Sequence, residues 1–115
     1  MKLPHADRLE IPQAKIVQYL LSATHRAGRG KAGFFSACGF QVSAWEVLTE
    51  ALRQQARDNA VALSEDTPFG TRYLIEGALA APNGRQLQVR TVWFIDKGSQ
   101  APRFVTAYPL KRRTL

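Results

Sequence analysis

Residues 71–96, TRYLIEGALAAPNGRQLQVRTVWFID, decide the fold of this chain. Before Pro82-Asn83-Gly84, positions Tyr73, Ile75, Gly77 and Leu79 alternate with their neighbours, and after it Leu87, Val89, Thr91, Trp93 and Ile95 do the same. A period of two puts each set on one face of an extended strand, and Asn-Gly accepts the backbone angles that a tight hairpin connection demands. The spacing predicts an antiparallel hairpin. Phe94 falls out of phase with Trp93 and Ile95, which predicts partial burial of both faces of the second strand.

Downstream, Arg103 to Tyr108 reads as a further strand before Pro109, followed by a basic tail of Lys111, Arg112 and Arg113. Upstream, Val61 and Leu63 alternate weakly as a short edge strand, and Thr67-Pro68-Phe69-Gly70 makes a turn. Before that the period is helical. Pro12, Ala14, Ile16, Val17, Leu20 and Leu21 predict a helix to about Ala23; Lys31 to Cys38 predicts a second, stopped by Gly39. Ser43 with Glu46 reads as a capping box that starts a third helix, running to about Asp58. The expected fold is α+β: three N-terminal helices packed on one face of a three- to four-stranded antiparallel sheet, as a single domain over residues 1–115. The other sheet face is then open to a ligand.

A composition of 45% apolar and 22% charged residues is globular, and one cysteine, Cys38, excludes an intrachain disulfide. Two histidines and that cysteine do not furnish a zinc site, so neither metal nor cofactor is expected. The N-terminus lacks the apolar core of a signal peptide, and no run suits a bilayer, so no membrane partner is expected. The protein is expected to act in the cytoplasm where it is made, or to be delivered there by a larger carrier.

The formal charge of +7 is unevenly spread. Positions 11–45 hold four Lys/Arg and no Asp/Glu, 67–115 hold eight against two, and the intervening 46–66 hold five acids and two bases. Such a basic face attracts polyanions, nucleic acid ahead of others. Its densest part is His25-Arg26-Ala27-Gly28-Arg29-Gly30-Lys31. The glycines allow close backbone approach, Arg29 and Lys31 can hold an anion, and His25 is the nearby group able to exchange a proton near neutral pH. His25 is equally readable as a helix-ending histidine, and Lys31 as a solvated one. Arg90 stands mid-strand on the non-core face, where either Glu76 across the hairpin or a bound phosphate accounts for it. Thr106 and Tyr108, two apart, share one sheet face and can bind phosphate, or serve as β-favouring residues. Trp45 and Trp93 are expected in the core.

His25 to Lys31 with Ala32 and Phe35, then Asn83-Gly84-Arg85, Val92-Trp93 and Pro102-Arg103 running to Tyr108, resemble a bacterial domain family of otherwise unassigned function. Its pattern is HPRGKHKA..F..LG followed by GPNGR...S.W.....PR....Y. Such domains occur free-standing and at the ends of secreted polymorphic toxins. The order of helices and sheet, and Thr106-Ala107-Tyr108-Pro109, are also similar to the barnase, EndoU, colicin and RelE superfamily of metal-independent ribonucleases. The resemblance implies RNA cleavage by 2′-hydroxyl attack, with His25 as general base, Lys31 and Arg90 stabilising the phosphorane, and Thr106 and Tyr108 positioning substrate or protonating the leaving oxygen. It further implies nucleic-acid contacts at Arg26, Arg29, Arg72 and Arg103, and an acidic immunity or antitoxin protein as partner. Gly30 stands where the family often has a second histidine; if that histidine is the general acid, its role here is lost or passes to Lys31 or Tyr108. A non-catalytic module that binds nucleic acid or an acidic partner through the same face is the alternative reading.

Overall fold

The computed structural model describes residues 1–22 and 29–110, with the side chain of Arg29 excepted. Its sheet has four strands in the order β1-β2-β3-β4: β1 (Val61–Thr67), β2 (Gly70–Ala80), β3 (Gln86–Asp96) and β4 (Arg103–Pro109). All pairings are antiparallel. The long central hairpin follows the alternation of its sequence, with Ile75 opposite Thr91, Gly77 opposite Val89 and Leu79 opposite Leu87. At its tip, Gly84 adopts φ 85° and the Asn83 carboxamide oxygen accepts from the Arg85 amide at 3.0 Å, closing the turn.

Three α-helices precede the sheet among the described residues: α1 (Gln13–Lys15), α2 (Arg29–Ala37) and α3 (Trp45–Asp58). The first is shorter than its apolar spacing predicts, because it passes directly into a π-helical turn, Ile16–Leu20, in which the Leu21 amide donates to the Ile16 carbonyl at 2.9 Å. That turn still buries Ile16 and Leu20 completely. The expected capping box at Ser43 and Glu46 does not form. A 3₁₀ turn, Val42–Ala44, shifts the start of α3, and the Ser43 hydroxyl bonds instead to the Gln41 side chain at 3.3 Å.

The core lies between the helices and one sheet face. Ile16, Leu20, Phe35, Phe40, Leu48 and Leu52 meet Ile75, Leu79, Val89 and Trp93, and Trp93 packs edge-to-face on Phe104 with centroids 5.3 Å apart. Trp45 is only half-buried at the margin of this core. On the outer face, Leu74 and Val92 oppose one another and are also buried, and Phe94 is half-buried, so both faces of β3 are partly covered.

One residue of β4 has no partner on β3: Val92 pairs with Thr106 and Trp93 with Phe104, so Val105 is a bulge. The bulge breaks the alternation of β4. Phe104 and Ala107, an odd number of positions apart, both turn into the core, and Thr106 and Tyr108 both turn outward beside Val92 and Arg90. The start of β4 is covered by the N-terminal segment, where the Glu10 amide donates to Pro102 and the Phe104 amide to Glu10, each at 2.8 Å.

A buried polar chain ties α3 to the hairpin. The Gln55 amide nitrogen donates to the carbonyls of Ile75 (3.2 Å) and Val89 (3.3 Å). Its oxygen accepts from Thr91 at 2.8 Å, and Thr91 in turn accepts from the Trp93 indole at 2.9 Å. Fully satisfied, such a chain fixes the register of helix on sheet; half-satisfied, it destabilises. Gln55→Leu strands the Thr91 hydroxyl and two sheet carbonyls in the apolar layer, and is expected to destabilise folding by about 2 kcal/mol or more. Urea unfolding followed by tryptophan fluorescence checks this: the midpoint should fall at unchanged slope, and an unchanged midpoint contradicts it.

Candidate active site

Four of the five residues singled out for catalysis come together on the outer face, beside the β4 edge. Lys31, on the first turns of α2, reaches across to β4, where its ammonium donates to Thr106 Oγ1 at 2.8 Å. The same nitrogen donates to the Tyr19 hydroxyl at 2.6 Å and lies 5.6 Å from the centre of the Tyr108 ring. Arg90, directly opposite Tyr108 across the β3–β4 ladder, donates from Nη1 to the Tyr108 hydroxyl at 3.0 Å. Of the two readings of Arg90, the cross-strand pair with Glu76 is the one seen, its Nη2 lying 2.5 Å from Glu76 Oε1. Lys31, Arg90, Thr106 and Tyr108 are all half-buried, so their charges and dipoles are less screened than at an open surface.

Tyr19 belongs to this group and was not singled out in the sequence. The π-helical turn holds it with Ile16 and Leu20 pinned in the core on either side, and its ring packs on the edge of that core. Its hydroxyl lies 3.2 Å from Thr106 Oγ1, and Lys31 and Lys15 stand 4.9 and 5.6 Å from its ring centre. The available signal was an aromatic four residues after Lys15 and off the Ile16 and Leu20 stripe, a spacing at which helix neighbours meet.

The electrostatics follow from these contacts. Partial burial pushes the Tyr19 phenol up, but hydrogen bonds to Lys31 and Thr106 and the charges of Lys31 and Lys15 outweigh it and hold the group below its ordinary 10.0. Hydrogen bonds to Tyr108 and then Glu76 raise Arg90 further above its usual range. The cluster is thus two fixed cations and three hydroxyls with one carboxylate, an arrangement able to hold a phosphate and to donate protons to its oxygens.

Of the remaining expectations, Arg72 and Arg103 fall elsewhere, and the others concern groups that are not described, the Arg29 side chain among them. His25 and Arg26 lie outside the described residues, as do Lys111, Arg112 and Arg113 of the basic tail. Arg103 sits at the far end of β4, roughly 15 Å along the strand from Tyr108. There it pairs with Asp96 at 2.8 Å, lowering that carboxyl, and lies over the Phe94 ring at 4.9 Å. Arg72 is exposed on the same outer face, opposite Phe94 on β3 and Glu65 on β1. Neither arginine joins the Lys31 cluster. Among the described residues, no group of three or more His, Cys, Asp and Glu side chains could hold a metal ion, and no helix is long and apolar enough to cross a membrane.

Comparison with known proteins gives a fold and a family. No curated protein matches the sequence significantly. Among solved structures, the chain is similar to one chain of a contact-dependent growth inhibition toxin–immunity protein complex from Klebsiella pneumoniae 342. The TM-score is 0.71 at 17% identity, over 94% of this chain and 98% of that one, a likeness that shows a shared fold. The family model of a domain of unknown function, DUF6883, matches residues 2–111. That near-complete match shows that the chain belongs to the DUF6883 domain family.

Proposed function

We propose that this domain is a ribonuclease toxin that cleaves RNA without a metal ion. The observation that carries the reading is the Lys31 ammonium held between hydroxyls of two separate elements, Tyr19 and Thr106, with Arg90 and Tyr108 beside it. In the proposed reaction His25 accepts the proton of a ribose 2′-hydroxyl, whose oxygen attacks the adjacent phosphorus. The bond from phosphorus to the 5′-oxygen breaks, and that oxygen takes a proton from Tyr108 or Lys31, leaving a 2′,3′-cyclic phosphate. Lys31 and Arg90 neutralise the charge gathered on the phosphorane oxygens, the kind of preorganised stabilisation that dominates such barriers.

The net charge of +7 suits an RNA substrate, and Arg26, Arg29, Arg72 and Arg103 are assigned to its backbone. The fold shared with a chain of a toxin–immunity complex supports a toxin role, action in a target cell's cytoplasm after delivery within a larger secreted protein, and an acidic immunity protein as partner.

Purified protein incubated with total RNA in EDTA is expected to produce fragments ending in 2′,3′-cyclic phosphate. Intact RNA at high protein concentration contradicts the reading, and salt-sensitive binding that survives His25→Ala without cleavage would leave a binding module. Lys31→Met and Arg90→Ala should each lower kcat/KM about 10²-fold, as loss of one stabilising donor does elsewhere.

The Lys31 contact has a second signature. Because Tyr19 is an acid whose folded value lies below 10.0, its ionisation stabilises the folded state fully above 10.0, and the contribution is lost as pH falls through the lowered value. Titration of phenolate absorbance in the folded protein should show Tyr19 ionising below 10.0, and Lys31→Met should move it upward. Unchanged titration in that variant contradicts the contact.

A further inference from the structure

A groove of about 650 Å³ opens next to the Lys31 cluster, between α1 with its π-helical turn on one side and the bulge of β4 on the other. Two of its lining residues, Tyr19 and Thr106, are the hydroxyls that bind Lys31, so groove and cluster are one continuous surface. The walls beyond them are apolar: Pro12 and Ala14 from the helix, Val105 from the bulge. Lys15 and Gln18 complete the lining, and no carboxylate contributes to it.

We infer that this groove is a nucleobase subsite, which holds the base of a nucleotide whose phosphate lies on Lys31 and Arg90. The chemistry of the lining matches that occupant part by part. A base presents flat apolar faces, which Pro12, Ala14 and Val105 can cover, and a polar edge, which the Gln18 carboxamide can meet as both donor and acceptor. Lys15, 5.6 Å from the Tyr19 ring centre, stands where the next phosphate of a strand would need a cation. The volume is within the range of small-ligand sites and exceeds what one base needs, leaving room for its ribose. A duplex cannot use the groove, because its bases are stacked and paired; the ligand is single-stranded RNA with a splayed base.

The position of the phosphate rests on the nuclease reading, but base binding does not require cleavage, so the two can fail separately. The probe is a short, fluorescently labelled 2′-O-methyl oligoribonucleotide, which lacks the attacking hydroxyl, compared by anisotropy with an abasic strand of the same length and charge. The intact strand should bind about tenfold more tightly than the abasic one, the scale of one base packed on a protein platform. Ala14→Trp, at an exposed helix position, fills the groove and should abolish that difference while leaving salt-dependent binding of both strands. Gln18→Ala, also exposed, should keep the difference and alter which base is preferred. Equal affinity for the two strands in the unsubstituted protein, or no affinity for either, overturns the subsite whether or not RNA is cut. Base-dependent binding without any cleavage of natural RNA upholds the subsite and overturns the nuclease reading.

Discussion

The geometry of the site depends on one extra residue in a strand. With regular alternation through β4, Phe104, Thr106 and Tyr108 would share a face, and either an aromatic would leave the core or two hydroxyls would enter it. The bulge at Val105 removes that conflict. Phe104 packs on Trp93 inside, and Thr106 and Tyr108 reach Lys31 and Arg90 outside. The same displaced residue supplies a wall of the groove beside the cluster. Bulges are commonly found where a sheet must re-aim side chains at a functional surface.

Rigidity behind the site comes from the opposite face. The Gln55, Thr91 and Trp93 chain fixes α3 against β2 and β3 in the layer directly beneath Arg90 and Val92. The π-helical turn does comparable work at the β4 edge, because Ile16 and Leu20 are locked into the core and carry Tyr19 to the ammonium between them. Half-burial of the cations by these elements makes their field stronger toward an incoming anion than surface lysines and arginines would supply.

The central hairpin could be read from sequence because its period of two, interrupted at Asn83-Gly84, has no competing interpretation. Arg90 could be read too, since parity alone puts it opposite Glu76 and away from Ile75 and Trp93. Thr106 and Tyr108 were placed on a common face correctly, but the register slip that turns Phe104 and Ala107 inward leaves no mark in residue types. The capping box failed because Ser43 found a side-chain partner in Gln41, and a local hydrogen bond of that kind competes with capping. Tyr19 is not legible in the sequence, because helical periodicity reports which residues are buried and says nothing of a hydroxyl that meets a strand 87 positions later. The basic loop around Lys31 marks it as a candidate, whereas its partners are the phenol and threonine hydroxyl of distant elements.

The proposed function requires that the cluster at the β4 edge of the outer face bind an anion. Its most direct test is an NMR titration of the isotopically labelled protein with an uncleavable single-stranded oligoribonucleotide. The largest shifts should fall on the Lys31 ammonium, the Arg90 guanidinium and the rings of Tyr19 and Tyr108. Shifts confined to β1, or to Arg72 and Arg103 at the far end of the sheet, would contradict it.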